Sequence, residues 1–306
     1  MKRRDFIKTA AASGVVGALN IASVEKAKAQ VAEKCDLVAV MNGTPTQMFE
    51  KAIAELGGMD KFIQKGWTVV VKPNIGWDRA PELAANTNPE LVAAIISSCL
   101  KAGAKEVIVF DRTCDDWKLA YKNSGIEDAV KQAGGKMEFA HDETYYREVT
   151  LPLAKKLKTT KIHRAILDCD AWINVPVLKN HGGAKMTISM KNYMGIVWDR
   201  PYFHANDLQQ CIADSCTYEK KPVLNIVDAY RVMKSNGPKG RSEADVVDGK
   251  ALFMSSDIVA VDTAAVNFFN QISPMTLDAV SHLAKGQELN LGTMDLDKLN
   301  IKRIRI

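Results

Sequence analysis

A short stretch of this sequence, residues 172–195, concentrates side chains that can bind anions and move protons. It carries Lys179, His181, Lys191 and Asn192, and two glycines follow the histidine. Lysine supplies a point cation, histidine titrates near neutral pH, and glycines let backbone N–H groups approach an anion closely. The stretch therefore predicts a site for an anionic ligand, with three candidate catalytic residues: His181, Lys179 and Lys191.

Polar residues that follow other apolar runs are expected beside these groups. Lys72-Pro73-Asn74 follows a run of valines, Asp111 follows residues 106–110, and Asp228 follows residues 223–227. Each of these positions is also compatible with a simple turn or helix cap. In open α/β sheets, however, ligands bind outside the carboxyl ends of the strands. We therefore predict a set of ligand-binding residues at one sheet edge: Lys72, Asn74, Asp111, Asn192 and Asp228.

The pattern supports a metal site or a known cofactor only weakly. His181, His204 and the carboxylate of Asp262 are the candidate metal ligands, but no H-E-x-x-H or similar zinc spacing links the histidines. The six cysteines are scattered without a C-x-x-C pair, so there is no iron–sulfur cysteine motif. There is no G-x-G-x-x-G or Walker pattern, so no nucleotide-binding glycine motif is present and the cofactor stays unknown.

The elements that must position these residues alternate along the chain. Continuous apolar runs predict strands at residues 36–41, 67–71, 106–110, 136–140, 171–175, 223–227 and 250–254. Helical patterns lie between them, at residues 45–56, 89–102, 116–123, 126–133, 186–193, 206–218, 257–270 and 276–285. Such strands favour an α/β fold with a mostly parallel, doubly wound sheet and helices on both faces. The polar segment 142–164 predicts a small inserted β excursion.

The N-terminus predicts an export signal. Residues 2–8 match the twin-arginine pattern, an Ala/Gly-rich run follows, and Ala27-Lys28-Ala29 fits a cleavage site. We expect residues 1–29 to be the leader and residues 30–306 to form one α/β domain. The predicted partner is the twin-arginine export machinery, and the predicted location is the periplasm. No later segment reaches the run of about 18 apolar residues that a membrane span requires.

The charge balance changes when the leader is set aside. Residues 1–29 hold six Lys/Arg and two Asp/Glu, so they account for +4 of the net charge of +5. The remaining chain is near neutral, which argues against nucleic acid as a partner. The expected partner is a small anionic molecule held by a local cluster of lysines.

Several motifs, taken in order, resemble the family called domain of unknown function 362. The resemblance covers about residues 65–270 and is carried by Val69–Asn74, Asn88-Pro89-Glu90, Asp111, Asn174–His181, Thr187, Lys191-Asn192, Gly195, Asp228 and Asp257–Asp262. It implies that Lys179, His181 and Lys191-Asn192 match the family's usual lysine, histidine and Lys-Asn pair. Some relatives carry a ferredoxin-like segment with closely spaced cysteines, which this chain lacks.

Three functional hypotheses follow from these observations. The leading one is an exported enzyme that acts on a small anionic ligand through the Lys/His/Asn cluster. The second is a non-catalytic periplasmic protein that binds a ligand or carries a cofactor in the same pocket. The third is a redox partner whose metal or flavin is supplied from elsewhere.

Overall fold

The computed structural model describes residues 35–306. The predicted twin-arginine leader and its cleavage site lie outside the described residues. Within the described part of the chain, no helix is long and apolar enough to cross a membrane.

A mixed, mostly parallel sheet forms the centre of the described chain, in the strand order β12-β1-β11-β10-β7-β2-β3-β4. Only β11 runs against its two neighbours, β1 and β10. The strands are β1 Leu37–Met41, β2 Thr68–Pro73, β3 Glu106–Val109, β4 Lys136–Met137, β5 Tyr146–Thr150, β6 Thr159–His163, β7 Ala171–Val175, β8 Val177–His181, β9 Lys185–Thr187, β10 Leu224–Met233, β11 Val246–Ser255 and β12 Ile301–Arg305. The predicted α/β class is confirmed.

Helices cover both faces of this sheet. They are α1 Pro45–Glu55, α2 Pro89–Lys101, α3 Trp117–Asn123, α4 Ile126–Gln132, α5 Arg164–Asp168, α6 Ser189–Asn192, α7 Arg200–Ala205, α8 Leu208–Ser215, α9 Ile258–Asn270 and α10 His282–Glu288. Their starts follow the sequence signals: Thr44 forms a capping box with Gln47, and Asn88 caps α2 ahead of Pro89.

The strand residues alternate between two apolar cores, one on each face. In β2, Val69 and Val71 pack with α1 and α2, whereas Val70 packs with the layer that contains α8 and α9. In β7, Ile173 joins the first core and Trp172 the second. Because successive side chains of a strand point to opposite faces, a parallel strand between two helical layers must be apolar throughout.

Segment 142–164 forms the predicted β excursion, in which β5 and β6 pair as an antiparallel hairpin. The buried carboxylate of Asp214 in α8 fastens the chain between these strands. It accepts hydrogen bonds from the backbone N–H groups of Lys155, Lys156 and Leu157 at 2.5–2.9 Å. Asp214 is therefore one of the side chains that tie the hairpin to the helical layer, together with Tyr202, whose hydroxyl donates to Lys156 O at 3.2 Å.

Several details differ from the sequence-based expectations. Residues 179–181, which the sequence predicts as a loop after the strand at 171–175, belong to a further strand, β8, which pairs with β9. The helix expected at residues 276–285 begins only at His282. The helix expected at residues 186–193 is shorter, because Lys185–Thr187 forms β9 before α6 begins. Asp228 does not end its strand: β10 continues to Met233 beside the long β11.

Candidate functional site

A cavity of about 830 Å³ opens beyond the carboxyl ends of β2 and β3. Its polar lining includes four cationic side chains and one carboxylate: Arg112, Lys179, Lys191, Arg200 and Asp111. Its apolar lining includes Trp77, Met194, Pro201, Ala205 and Pro238. This is the place that the strand-end rule predicts, and its volume falls within the range of about 300–1,000 Å³ typical of small-molecule sites.

Lys72 forms the buried floor of the site. Its ammonium nitrogen lies 2.9 Å from Asp111 Oδ1 and donates to Asn192 O and Asn192 Oδ1 at 2.9 and 2.8 Å. The contact with Asp111 is an ion pair whose alignment falls outside hydrogen-bond geometry. Burial lowers the pKa of Lys72, and Asp111 opposes this effect. Since all three partners are acceptors, the geometry fits the protonated amine, and we assign Lys72 as a fixed cation.

Gly195 makes room for this pair. A Cβ atom at this position would overlap both Asp111 Oδ1 and Lys72 Nζ. The carbonyl oxygen of Gly195 also accepts a hydrogen bond from Arg112 N at 3.1 Å. The glycine is therefore required by close packing, and it fixes the strand-end segment that carries Asp111.

Asparagines connect the floor to the second lysine. Asn74 Nδ2 donates to Asn192 Oδ1 at 3.2 Å, and Asn192 Nδ2 donates to Asn174 Oδ1 at 2.8 Å. Lys179 Nζ in turn donates to Asn74 Oδ1 at 3.0 Å and to Ala85 O. The network joins β2, β7, β8 and α6, and it holds Lys179 with two of its three N–H positions occupied.

Burial, together with the neighbouring cations Lys191 and Lys72, lowers the pKa of Lys179 to about 7, although Cys114 and Asp111 oppose this effect. The side chain is only 1% exposed, and it lines the cavity. An amine that changes charge near neutral pH can accept and return a proton during a reaction. Lys179 therefore has the properties of an acid/base group.

Two cationic side chains in the cavity lack protein partners. Among the described residues, neither Lys191 nor the guanidinium of Arg112 has a hydrogen-bond or ion-pair partner, and Arg112 Nε is buried. Arg112 stacks over the ring of Trp198, with its guanidinium carbon 4.2 Å from the ring centroid. Thr187 Oγ1 is likewise buried without a partner in the cavity wall. Buried polar groups are normally paired, so these groups mark where a ligand would bind.

Lys191 is partly exposed because its side chain borders the cavity, yet burial lowers its pKa to about 8. The charges of Arg200 and Lys72 contribute to this lowering of the pKa, whereas Cys114 and Asp111 oppose it. An anion beside this side chain would restore the charged form, because opposite charges favour ionisation.

His181 lies in the cavity wall as a neutral ring. The backbone N–H of Ala184 donates to His181 Nδ1 at 3.2 Å, which assigns the ring proton to Nε2. Burial, together with Lys191, Lys179 and His204, lowers the pKa of His181 to about 2. At neutral pH the ring is therefore a hydrogen-bond donor through Nε2–H, since the proton-accepting position is already used. His204, in α7, is exposed and also lines the cavity.

Two predicted carboxylates lie away from the cavity lining. Asp228 accepts hydrogen bonds from the backbone N–H groups of Asn88 and Tyr230 at 2.7 and 3.0 Å. Asp262 accepts from Ser189 N and Met190 N, both at 2.8 Å, and so holds the start of α6. Burial raises the pKa of Asp228 to about 6 and that of Asp262 to about 7. Both carboxylates position backbone segments of the site.

The structure brings together most of the other predicted residues. Lys72 lies beneath the cavity. The lining of the cavity includes seven of the other predicted residues: Asn74, Asp111, Lys179, His181, Lys191, Asn192 and His204. Gly182 and Gly183 form the turn between β8 and β9, outside the lining. Among the described residues, no group of three or more His, Cys, Asp or Glu side chains is arranged to hold a metal ion.

The sequence-based selection missed three polar residues of the cavity: Arg112, Cys114 and Arg200. Arg200 donates to Arg112 O at 2.8 Å, to Thr113 O at 2.5 Å and to Cys114 Sγ at 3.2 Å, so it braces the segment after β3. One signal was available for Arg112, because it directly follows the selected Asp111. Another was available for Arg200, which lies four residues before His204 on one short helix.

The order of the motifs along the chain resembles that of a known family, and the match to the pattern of that family shows that the chain is a member. The sequence pattern of domain of unknown function (DUF362) matches residues 69–267. The chain belongs to the DUF362 family. The matched region contains Lys72, the four cationic side chains of the cavity lining, and both positioning carboxylates, Asp228 and Asp262.

Two similar proteins extend the comparison beyond the DUF362 pattern. A thylakoid-associated protein of Synechocystis sp. is 25% identical over an alignment of 242 residues, and the alignment covers 74% of this chain and 70% of that protein. Among solved structures, the lactate racemase apoprotein from Thermoanaerobacterium thermosaccharolyticum aligns with a TM-score of 0.49 and 13% sequence identity. That alignment covers 78% of this chain and 57% of the racemase chain.

Proposed function

We propose that this DUF362 protein is an enzyme that acts on a small molecule carrying at least one anionic group. The observation that carries the proposal is the unpartnered pair of cations in the cavity, Lys191 and Arg112. Leaving a cation without a partner in a partly buried site is costly, and a carboxylate or phosphate would remove that cost.

The other groups of the cavity support chemistry beyond simple binding. The Lys179 amine changes charge near neutral pH, which suits an acid/base role. His181 presents a neutral Nε2–H that can donate to an oxygen on which negative charge develops. Lys72 is a permanent cation beneath them, so it supports the geometry without exchanging a proton.

A second candidate function is the binding or carrying of a cofactor without catalysis by the chain itself. The size of the cavity favours it, because about 830 Å³ exceeds the need of a small anion, and part of the wall is apolar. One version of this alternative is a redox partner that binds a flavin or a metal supplied from elsewhere. Mass spectrometry and elemental analysis of the natively produced protein distinguish these cases: a stoichiometric bound group supports the carrier, and its absence together with turnover supports the enzyme.

We also propose that the chain is exported by the twin-arginine machinery to the periplasm. The paired arginines and the Ala27-Lys28-Ala29 site support this proposal. Cell fractionation tests it: replacing Arg3 and Arg4 with lysine should retain the chain in the cytoplasm. Equal export of this variant and the unaltered chain would contradict the proposal.

Titration calorimetry with phosphate, acetate and pyruvate tests the proposed function. The variant Lys191→Met should weaken binding about tenfold to a hundredfold, the loss expected for one charge-assisted hydrogen bond. The matched control is Lys185→Met, because Lys185 is an exposed lysine of β9 outside the cavity lining. Equal affinities of both variants, or no binding of any anion by the unaltered chain, would contradict the assignment of the site.

A further inference from the structure

The amine of Lys191 occupies an environment typical of a nucleophile. It borders the cavity, it has no hydrogen-bond or ion-pair partner among the described residues, and it has cationic neighbours. Of residues 35–306, Asp111 alone supplies a carboxylate to the cavity lining, and it is committed elsewhere, since it pairs with Lys72 and accepts from Ile75 N at 2.6 Å. We propose that Lys191 forms an imine with the carbonyl carbon of a 2-oxo acid, an inference that rests on the proposed function.

The two lysines of the cavity differ in what they can do. Lys179 donates to Asn74 Oδ1 and Ala85 O, and a lysine that forms an imine keeps at most one N–H. Imine formation at Lys179 would therefore break a buried hydrogen bond, whereas imine formation at Lys191 breaks none. A lysine placed next to other cations and away from carboxylates is favoured as the neutral amine, which is the nucleophilic form. Burial and the nearby charges of Arg200 and Lys72 lower the pKa of Lys191 accordingly.

The neighbouring groups account for every proton in the step. The Lys191 nitrogen forms a bond to the carbonyl carbon, and the carbonyl oxygen takes a proton from the Lys179 ammonium. The added nitrogen passes its proton back, which leaves a neutral carbinolamine. The re-formed Lys179 ammonium then gives a second proton to the hydroxyl, the C–O bond breaks, water leaves, and the nitrogen lone pair completes a protonated C=N bond. Return of the remaining N–H proton to Lys179 leaves the neutral imine and restores the Lys179 ammonium. The sum is amine plus ketone giving imine plus water, with no change of oxidation state.

The carboxylate of the ligand has its own receptor. The guanidinium of Arg112 has no hydrogen-bond or ion-pair partner within residues 35–306, and it lies over the ring of Trp198. The planar fork of arginine matches a carboxylate with two parallel hydrogen bonds, and a stacked arginine is already oriented for them. The guanidinium of Arg200, in contrast, is occupied by Arg112 O and Thr113 O. A ligand with adjacent carboxylate and carbonyl groups uses both the free guanidinium and the free amine.

Reductive trapping of the full chain tests this inference. The protein is incubated with pyruvate, glyoxylate or 2-oxoglutarate and then with sodium cyanoborohydride, which reduces an imine to a stable secondary amine. The expected product has gained the mass of the oxo acid less one oxygen atom, and peptide mapping places the label on Lys191. The matched variant is Lys191→Arg, which keeps a cation but cannot form the imine. It should lose the label, and circular dichroism of the variant checks that it is folded.

The outcomes separate this inference from the proposed function. A label on Lys191 that disappears in Lys191→Arg supports the imine. A label spread over exposed lysines, or located on Lys179, overturns it, and mapping of the unaltered chain decides this even if the variant does not fold. Calorimetric binding of the oxo acids without any label overturns the imine and leaves the anion site standing. Absence of both binding and label overturns both proposals.

Discussion

The substitution Gly195→Ala should destabilise the protein, because the added methyl group would disturb the buried ion pair between Lys72 and Asp111. The added Cβ would fall between Lys72 Nζ and Asp111 Oδ1, which lie 2.9 Å apart. Both side chains are almost completely buried, since Lys72 is 0% and Asp111 2% exposed. Asn192 holds the lysine, and the backbone N–H of Ile75 holds the carboxylate.

The loss in the free energy of unfolding can be estimated from the structural changes that the methyl group would require. Moving buried side chains and backbone to accept a new methyl group costs about 1–3 kcal/mol. Separating a buried ion pair so that its charges lose their partners costs about 3–5 kcal/mol. Since the methyl group meets both charged atoms at once, we expect a loss of about 3 kcal/mol in the free energy of unfolding.

Urea unfolding followed by circular dichroism measures this loss. The matched control is Gly182→Ala, because a Cβ at Gly182 meets no atom within 4 Å. That variant should stay within about 0.5 kcal/mol of the unaltered protein, as most exposed substitutions do. If both variants unfold at the same urea concentration, the ion pair is not held as the geometry indicates and the reasoning is refuted.

Two further results are expected. Anion binding at about pH 8 should take up protons, because the anion raises the lowered pKa of Lys179 (about 7) and Lys191 (about 8), so affinity falls as pH rises above neutrality. Titrations in two buffers of different ionisation enthalpy measure the uptake, and proton release would contradict it. Asp214→Ala should cost about 2 kcal/mol or more, because three backbone N–H groups at residues 155–157 lose their acceptor. Their amide exchange should accelerate, and unchanged protection would disprove the anchoring role.

The sequence predicted the fold class and the location of the site because both depend on local pattern. Strands buried on two faces are apolar throughout, and the polar residues that follow them meet at one sheet edge. This is how Lys72, Asp111 and Lys179 could be placed together. Asp228 was misplaced at a strand end because nothing local shows that β10 extends beside β11 to Met233.

The chemical state of each group could not be predicted from the sequence. The sequence does not distinguish the three lysines of the site. In the structure, Lys72 is ion-paired with Asp111 and Lys179 donates to two acceptors. Lys191 has no hydrogen-bond or ion-pair partner among the described residues. These differences arise from residues more than a hundred positions away, such as Asn192 beside Lys72. The sequence also offered His181, His204 and Asp262 as weak candidate metal ligands, and in the structure Asp262 accepts hydrogen bonds from the first backbone N–H groups of α6.

One part of the cavity wall belongs to a short, exposed helix, and this part can be varied to change ligand specificity. Lys179 and Lys191 are carried by the sheet and by a helix that Asp262 anchors, whereas His204 and Ala205 belong to the six-residue helix α7 and are exposed. Substitutions at exposed positions usually change stability by less than about 0.5 kcal/mol. A combinatorial library at His204 and Ala205 should therefore alter which molecules are accepted while the reactive groups keep their places.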